Sequence, residues 1–136
     1  MTVVAQSAVA RQMMSLPMTV KERNPQSDLI NHLEVLRRAG QVRLDADESA
    51  ALAYALGAAP PGEIALFGSR VEPHRRGGDI DVLLLTDAPA FETSQAMVVR
   101  FFSRCEEKID VVVINPNTIT PEQQDFLDRI TRVRLQ

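Results

Sequence analysis

Three aspartates form the pattern in this sequence that most clearly suggests chemistry. Asp79 and Asp81 stand two residues apart at the start of one apolar run, and Asp110 stands near the start of another. Because alternate residues of a strand point to the same face, the carboxylates of Asp79 and Asp81 should stand side by side. If the two apolar runs form neighbouring strands, Asp110 joins this pair at one edge of the sheet.

Three carboxylates in this arrangement repel one another, and burial strengthens the repulsion. A divalent cation removes the conflict, and ligands that are all oxygen atoms select a hard ion, Mg²⁺ or alternatively Mn²⁺. Carboxylates that can bridge two ions suit a two-metal centre for in-line phosphoryl transfer. We therefore predict that Asp79, Asp81 and Asp110 are both metal ligands and catalytic residues.

A loop that could hold phosphate lies just before the aspartate pair. Gly68 and Ser69 directly follow a short apolar segment; the glycine lets the backbone approach a phosphate, and the serine adds a hydroxyl and an amide N–H. Arg70, Arg75 and Arg76 make this loop basic in a chain of net charge −3. We predict Gly68, Ser69 and Arg70 as nucleotide-binding residues, whereas Arg75 and Arg76 are more simply read as solvated charges.

The elements that must position these residues follow from apolar periodicity and from Gly and Pro. Helices are predicted at 27–39 after Ser27 and at 45–56 after Asp45, with a short extended piece at 41–44 between them. Apolar runs at 64–67, 80–85 and 109–114 indicate strands. An amphipathic helix is predicted at 91–106, and Pro121 begins a last helix. This order indicates an α/β (α+β) fold.

Composition limits the function classes. Residues 1–26 show no clean period and are predicted to be a poorly ordered N-terminal arm, so that 27–136 form a single domain. Aromatic residues make up only 4% of the chain, which disfavours a base-stacking surface for single-stranded nucleic acid. The single cysteine, Cys105, cannot form an internal disulfide, and no apolar run approaches the roughly 20 residues of a membrane span. We expect a cytoplasmic protein.

Together these motifs resemble the DNA polymerase β-type nucleotidyltransferase superfamily. The shared pattern is an apolar strand, Gly68-Ser69, nine intervening residues, Asp79-x-Asp81 and a distant aspartate on another strand. The short chain is similar to the minimal nucleotidyltransferase (MNT) proteins over roughly residues 45–135. The resemblance implies the nucleotidyltransferase fold, a small mixed sheet flanked by helices. Two positions differ from many relatives: Val71-Glu72-Pro73-His74 follow Arg70 in place of Ala-Arg-Gly, and Gly78 replaces a serine.

The resemblance also implies an activity and a partner. It implies Mg²⁺-dependent transfer of a nucleoside monophosphate, with AMP the first expectation, from an NTP such as ATP to an acceptor hydroxyl. Asp79 and Asp81 would hold the metals, Asp110 would help to activate the hydroxyl, and Gly68 and Ser69 would grip the phosphates. Because MNT proteins are often paired with a helical HEPN ribonuclease, the acceptor could be such a toxin. There are two alternatives. One is an antitoxin that masks the toxin by binding it, and the other is an enzyme that modifies a small molecule such as an aminoglycoside and acts as a homo-oligomer.

Overall fold

The computed structural model describes residues 25–136, a mixed α+β domain built on a four-stranded sheet. A 3₁₀ turn, Gly68–Val71, follows the first strand. In chain order the elements are α1 (Pro25–Arg38), α2 (Ala46–Leu56), β1 (Glu63–Phe67), β2 (Ile80–Leu85), α3 (Ala90–Phe102), β3 (Ile109–Ile114), α4 (Pro121–Arg129) and β4 (Arg132–Arg134). The predicted α/β (α+β) class is confirmed.

The sheet has the strand order β3-β2-β1-β4 and is mixed in direction. β1 pairs antiparallel with both β2 and β4, whereas β2 pairs parallel with β3 through the crossover helix α3. β2 lies between two neighbouring strands and is covered on both faces, which explains its uninterrupted apolar run. The central position of β2 fixes its register against both neighbours.

The first three helices cover one face of the sheet. α1 contributes Leu29 and Leu33 to the core, α2 contributes Leu52, and α3 contributes Met97 and Phe101. They pack against the side chains of β1, β2 and β3 that point to this face, namely Ile64, Leu66, Ile80, Val82, Leu84 and Ile109. Burial of this apolar surface is the main source of stability for the domain.

Helix ends are set by local signals that the sequence carries. Asp45 accepts a hydrogen bond from the Glu48 amide, and the Glu48 side chain accepts one from the Asp45 amide, which forms a capping box at the start of α2. Gly40, with φ +78°, ends α1 in a Schellman arrangement in which the Gln41 amide donates to the Leu36 carbonyl. The helix start predicted after Asp45 is confirmed, and the helix end predicted at residue 39 lies one residue beyond the observed end at Arg38.

The opposite face of the sheet is covered by α4. Phe126 meets Phe67 edge-to-face, with ring centroids 5.4 Å apart, and Leu127 and Ile130 pack on the same small cluster. A capping box between Thr120 and Gln123 starts this helix, with Pro121 at its first position. Since α4 is short, part of this face near β3 is only half-buried.

Several predicted boundaries are corrected. α1 begins at Pro25, so the last two residues of the predicted 1–26 arm belong to it, and the rest of the predicted arm lies outside the described residues. Residues 41–44 form no strand; they bury Val42 and Leu44 as irregular chain. The helix predicted at 91–106 ends at Phe102, and β4 was not predicted at all. Within residues 25–136, no helix has the length and apolar character needed to cross a membrane.

Candidate active site at the sheet edge

The pairing of β2 with β3 brings two of the predicted carboxylates together. Asp81 and Asp110 are direct partners in the parallel register, so their Cα atoms lie on adjacent strands, about 4.8 Å apart by ordinary sheet spacing. Partner residues in a parallel pair project to the same face, which here is the face that carries α4. Asp79 precedes β2 by one residue, and the period of two places it on the same side as Asp81.

Gly68 closes the other side of this carboxylate group. Its φ is +75°, a conformation that side chains with a Cβ rarely adopt. A Cβ built on Gly68 would overlap the Oδ2 atom of Asp81, so the backbone lies directly against that carboxylate. The backbone conformation therefore favours glycine at position 68, and any side chain there would also have to displace the end of the Asp81 side chain.

A second glycine, Gly78, lets the end of the loop pack against Ser69. Gly78 has φ +87°, and a Cβ there would overlap the Ser69 Oγ atom. Gly78 has no side chain, and the Ser69 hydroxyl fills the space that a side chain there would occupy. Ser69 is half-buried. Because Gly68 lies against Asp81 and Gly78 lies against Ser69, the Gly68-Ser69 pair and the Asp79–Asp81 pair are neighbours in space.

Burial and the neighbouring carboxylates raise the proton affinity of Asp81. Burial raises the pKa of the Asp81 carboxyl, and the negative charges of Asp110 and Asp79 raise it further, whereas Lys108 acts in the opposite direction. Lys108 Nζ lies 3.5 Å from Asp79 Oδ2 in an exposed ion pair. A site that concentrates uncompensated negative charge in this way attracts cations.

The residues fit a hard divalent cation by the chemistry of their donor atoms. They offer carboxylate oxygens only, on two adjacent strands, with like charges that a cation would neutralise. In the described part of the chain, however, no three His, Cys, Asp or Glu side chains are arranged so that they could hold a metal ion as they stand. Asp81 and Asp110 are register partners, and Asp79 is engaged with Lys108 instead.

Arg70 is placed differently from the prediction that it contacts nucleotide. Its side chain is 5% exposed and forms a two-pronged ion pair with Glu48, with N–O distances of 2.8 and 2.9 Å. The same guanidinium donates to the Gly78 and Arg43 carbonyls. These internal partners occupy four of the five guanidinium N–H donors, so Arg70 attaches the loop to α2.

Arg43 holds the same loop from outside. Its guanidinium donates to the carbonyl oxygens of Ser69, Glu72 and Gly77, at 2.8, 2.9 and 3.0 Å. Its backbone amide also donates to the Arg70 carbonyl at 2.7 Å. Because one side chain contacts both ends of the 69–77 segment, the loop is tied into a single conformation next to the carboxylates.

Sequence reasoning missed Arg43, Glu48 and Lys108. Glu48 lies in the first turn of the helix predicted after Asp45, and its role as the partner of Arg70 requires a contact across 22 positions of the chain. Arg43 had no periodic or motif signal. Lys108 stands two residues before Asp110, and a basic residue so close to a predicted carboxylate site was a signal that could have identified it.

Comparison with protein-family models finds no match for this chain, and no curated protein matches it either.

Proposed function

We propose that this protein is a divalent-cation-dependent nucleotidyltransferase that transfers a nucleoside monophosphate, AMP first among the four, from an NTP to an acceptor hydroxyl. The observation that carries the proposal is the pairing of Asp81 with Asp110 on parallel strands, with the Gly68 backbone packed against Asp81. Carboxylates for cations and a glycine turn for phosphates then adjoin each other, which is what phosphoryl transfer requires.

Each residue of the site has a separate task in this proposal. Asp79, Asp81 and Asp110 would hold Mg²⁺, which when bound would neutralise the carboxylates and polarise the phosphate oxygens. The Gly68 turn and the Ser69 hydroxyl would bind the triphosphate and orient it. Asp110, which is exposed, would accept the proton of the acceptor hydroxyl.

The reaction is an in-line substitution at the α-phosphorus. The acceptor oxygen forms a bond to that phosphorus, the bond to the bridging β-phosphate oxygen breaks, and pyrophosphate leaves with the electron pair. The hydroxyl proton passes to an Asp110 carboxylate oxygen. The loop tied by Arg43 and Arg70 supports this role, because a phosphate-binding turn that is already ordered loses little entropy when substrate binds.

Transfer of label from each of the four α-labelled NTPs tests the activity. The protein is purified with its native partners, so that the acceptor is present, and incubated with Mg²⁺. The double variant Asp79→Ala/Asp81→Ala should lose at least about a hundredfold of the labelling rate. Asp87→Ala removes an exposed aspartate outside the site and should label as the wild type does. Equal labelling by the double variant would exclude this function.

Intact-mass analysis of the same preparation identifies the acceptor. After addition of ATP and Mg²⁺, transfer of AMP adds the mass of one adenylyl group to a co-purified protein or to a small molecule. A gain on a helical ribonuclease partner would favour a toxin-modifying enzyme. A gain of mass on a small molecule would favour an enzyme that modifies a small molecule such as an aminoglycoside.

A second candidate is a masking antitoxin, and one observation favours it. Phe91, Val99 and Phe102 are 71, 59 and 48% exposed, and their spacing places them on one side of α3. Exposed apolar groups of this kind are typical of protein-binding surfaces. In co-expression with the toxin, masking predicts that Asp79→Ala/Asp81→Ala neutralises fully while Phe91→Ser/Phe102→Ser does not. The opposite pair of results would assign neutralisation to catalysis.

A further inference from the structure

A cavity adjoins the Gly68 turn on the side of the sheet where β4 lies. Its volume is about 680 Å³, and it is bounded by the segment from Val71 to Arg75 on one side and by Arg129, Ile130 and Thr131 on the other. Clefts of this size hold ligands as large as a nucleoside. Phe67 and Gly68 form the boundary between this cavity and the carboxylates, so a ligand could extend from one to the other.

The lining of the cavity combines apolar walls with a polar, mostly basic rim. Phe67, Val71 and Ile130 are buried or half-buried and belong to the packed interior of the domain. His74, Arg75 and Thr131 are exposed and lie at the opening. A nucleoside matches this distribution, because its base has apolar faces and its base edges and ribose carry hydrogen-bonding groups.

The two arginines of the rim can turn to an anion at little cost. Arg75 pairs with Glu72 at 3.2 Å and Arg129 pairs with Asp125 at 2.7 Å, and all four side chains are more than half exposed. Exposed ion pairs of this kind contribute little to stability, so a guanidinium can exchange its partner for a phosphate or a ribose hydroxyl.

We propose that this cavity receives the base and ribose of the NTP, whose α-phosphate then lies at the Asp79–Asp81–Asp110 carboxylates while the adjoining Gly68-Ser69 turn binds the β- and γ-phosphates. This inference rests on the proposed nucleotidyltransferase function. It also orients the two substrates along the sheet. The nucleoside lies toward β4, and the acceptor approaches from the side of β3, where Asp110 is exposed.

Filling the cavity tests the assignment. Thr131→Trp introduces a large ring at the rim without removing a buried side chain, and Asn117→Trp makes the matched change at an exposed position outside the cavity. Binding of α,β-methylene-ATP, whose α–β bridge cannot be cleaved, is measured by calorimetry with Mg²⁺. We expect Thr131→Trp to weaken binding at least tenfold and Asn117→Trp to change it less than twofold. Inorganic tripolyphosphate should bind the wild type and Thr131→Trp equally well.

The outcomes separate this inference from the function on which it rests. If the wild type binds the analogue and Thr131→Trp binds it equally well, the nucleoside does not lie in this cavity, although the proposed function stands. Weaker tripolyphosphate binding by Thr131→Trp would also overturn the assignment, because the cavity would then hold phosphates. A wild type that binds no nucleotide overturns both. Pro73→Trp fills the cavity from the opposite wall and gives the same test if Thr131→Trp fails to fold.

Discussion

The domain contains two pairs of charged residues close to the Gly68 turn, and their surroundings are opposite in character. One pair is Glu48 with Arg70, and the other is Asp81 with Asp110. Glu48 and Arg70 are almost completely buried and satisfy each other through two hydrogen bonds. Asp81 and Asp110 are partly exposed register partners of the same sign. The pKa of Glu48 is lowered chiefly by its bond to Arg70, whereas burial and the neighbouring aspartates raise the pKa of Asp81.

The difference separates a structural charge pair from a candidate functional one. Burial of an ion pair is tolerated when its charged groups find hydrogen-bond partners, and the Arg70 guanidinium donates four hydrogen bonds, two of them to Glu48. Like charges held together without a partner cost stability, and such an arrangement is typical of sites that bind a cation or carry out catalysis.

The largest effect is expected at Arg70. Arg70→Ala leaves the Glu48 carboxylate buried without its partner and frees the Gly78 carbonyl, so the free energy of unfolding should fall by about 3–5 kcal/mol. Urea denaturation followed by circular dichroism measures it. Arg76→Ala removes an exposed arginine of the same loop and should change stability by less than about 0.5 kcal/mol. Similar losses for the two variants would contradict a structural role for the buried pair.

The next effect concerns the turn between the two groups. Gly68→Ala places a Cβ against the Asp81 carboxylate at φ +75° and should cost roughly 2–4 kcal/mol. Gly77→Ala is the matched control, because Gly77 also has a positive φ, +57°, but a Cβ there meets nothing within 4 Å. Its cost should be only the conformational part, about 1–2 kcal/mol. If thermal and urea unfolding show the same loss in free energy of unfolding for both variants, the contact with Asp81 adds nothing to the cost of Gly68→Ala.

A smaller effect of opposite sign is expected at Asp81. Asp81→Asn removes a like charge opposite Asp110, so the free energy of unfolding without divalent cations should rise by roughly 0.2–1 kcal/mol. The proposed Mg²⁺ site needs both carboxylates, so on that proposal addition of Mg²⁺ should raise the melting temperature of the wild type and not that of the variant. A loss of stability in Asp81→Asn without Mg²⁺ would contradict the repulsion.

The smallest effect is a change in pH dependence. Because the pKa of Glu48 is lowered below its ordinary value of 4.5, the stability it contributes is complete above that value and is lost as pH falls through the lower value in the folded state. Glu48→Gln should remove this part of the acid sensitivity, so its unfolding free energy should fall less steeply than that of the wild type between pH 5 and roughly pH 3. Parallel curves would assign the acid sensitivity to other groups.

Most elements of the fold could be predicted because their signals are local. The capping box at Asp45, the stop at Gly40 and the apolar run of β2 each depend on residues within a few positions of one another. β4 escaped prediction because Arg132–Arg134 is short, carries two arginines and becomes a strand only by pairing with β1. Ile30 and Phe102 are apolar residues of the amphipathic helices α1 and α3, yet they are 42 and 48% exposed, which helical periodicity alone does not indicate.

The candidate site divides in the same way. The sequence indicated Asp79, Asp81 and Asp110 through their spacing and strand context, and the pairing of Asp81 with Asp110 agrees with the prediction that the two runs are neighbouring strands. The metal-binding and catalytic roles of these residues stay predictions. Arg70 shows the limit of motif reasoning: a basic residue after Gly68-Ser69 suggested a phosphate contact, yet its guanidinium is held by Glu48 and backbone carbonyls.

By itself, the sequence determined the order of helices and strands, the caps, and the presence of an acidic pair after a glycine turn, because period and capping act between near neighbours in the chain. Only the tertiary structure decided which charges meet. Strand register set Asp81 opposite Asp110, and the packing of α2 beside the Gly68–Val71 turn brought Glu48 to Arg70. Such contacts join residues that are 22 or more positions apart, so local patterns suggested the first only on the condition that the two apolar runs are neighbouring strands, and gave no sign of the second.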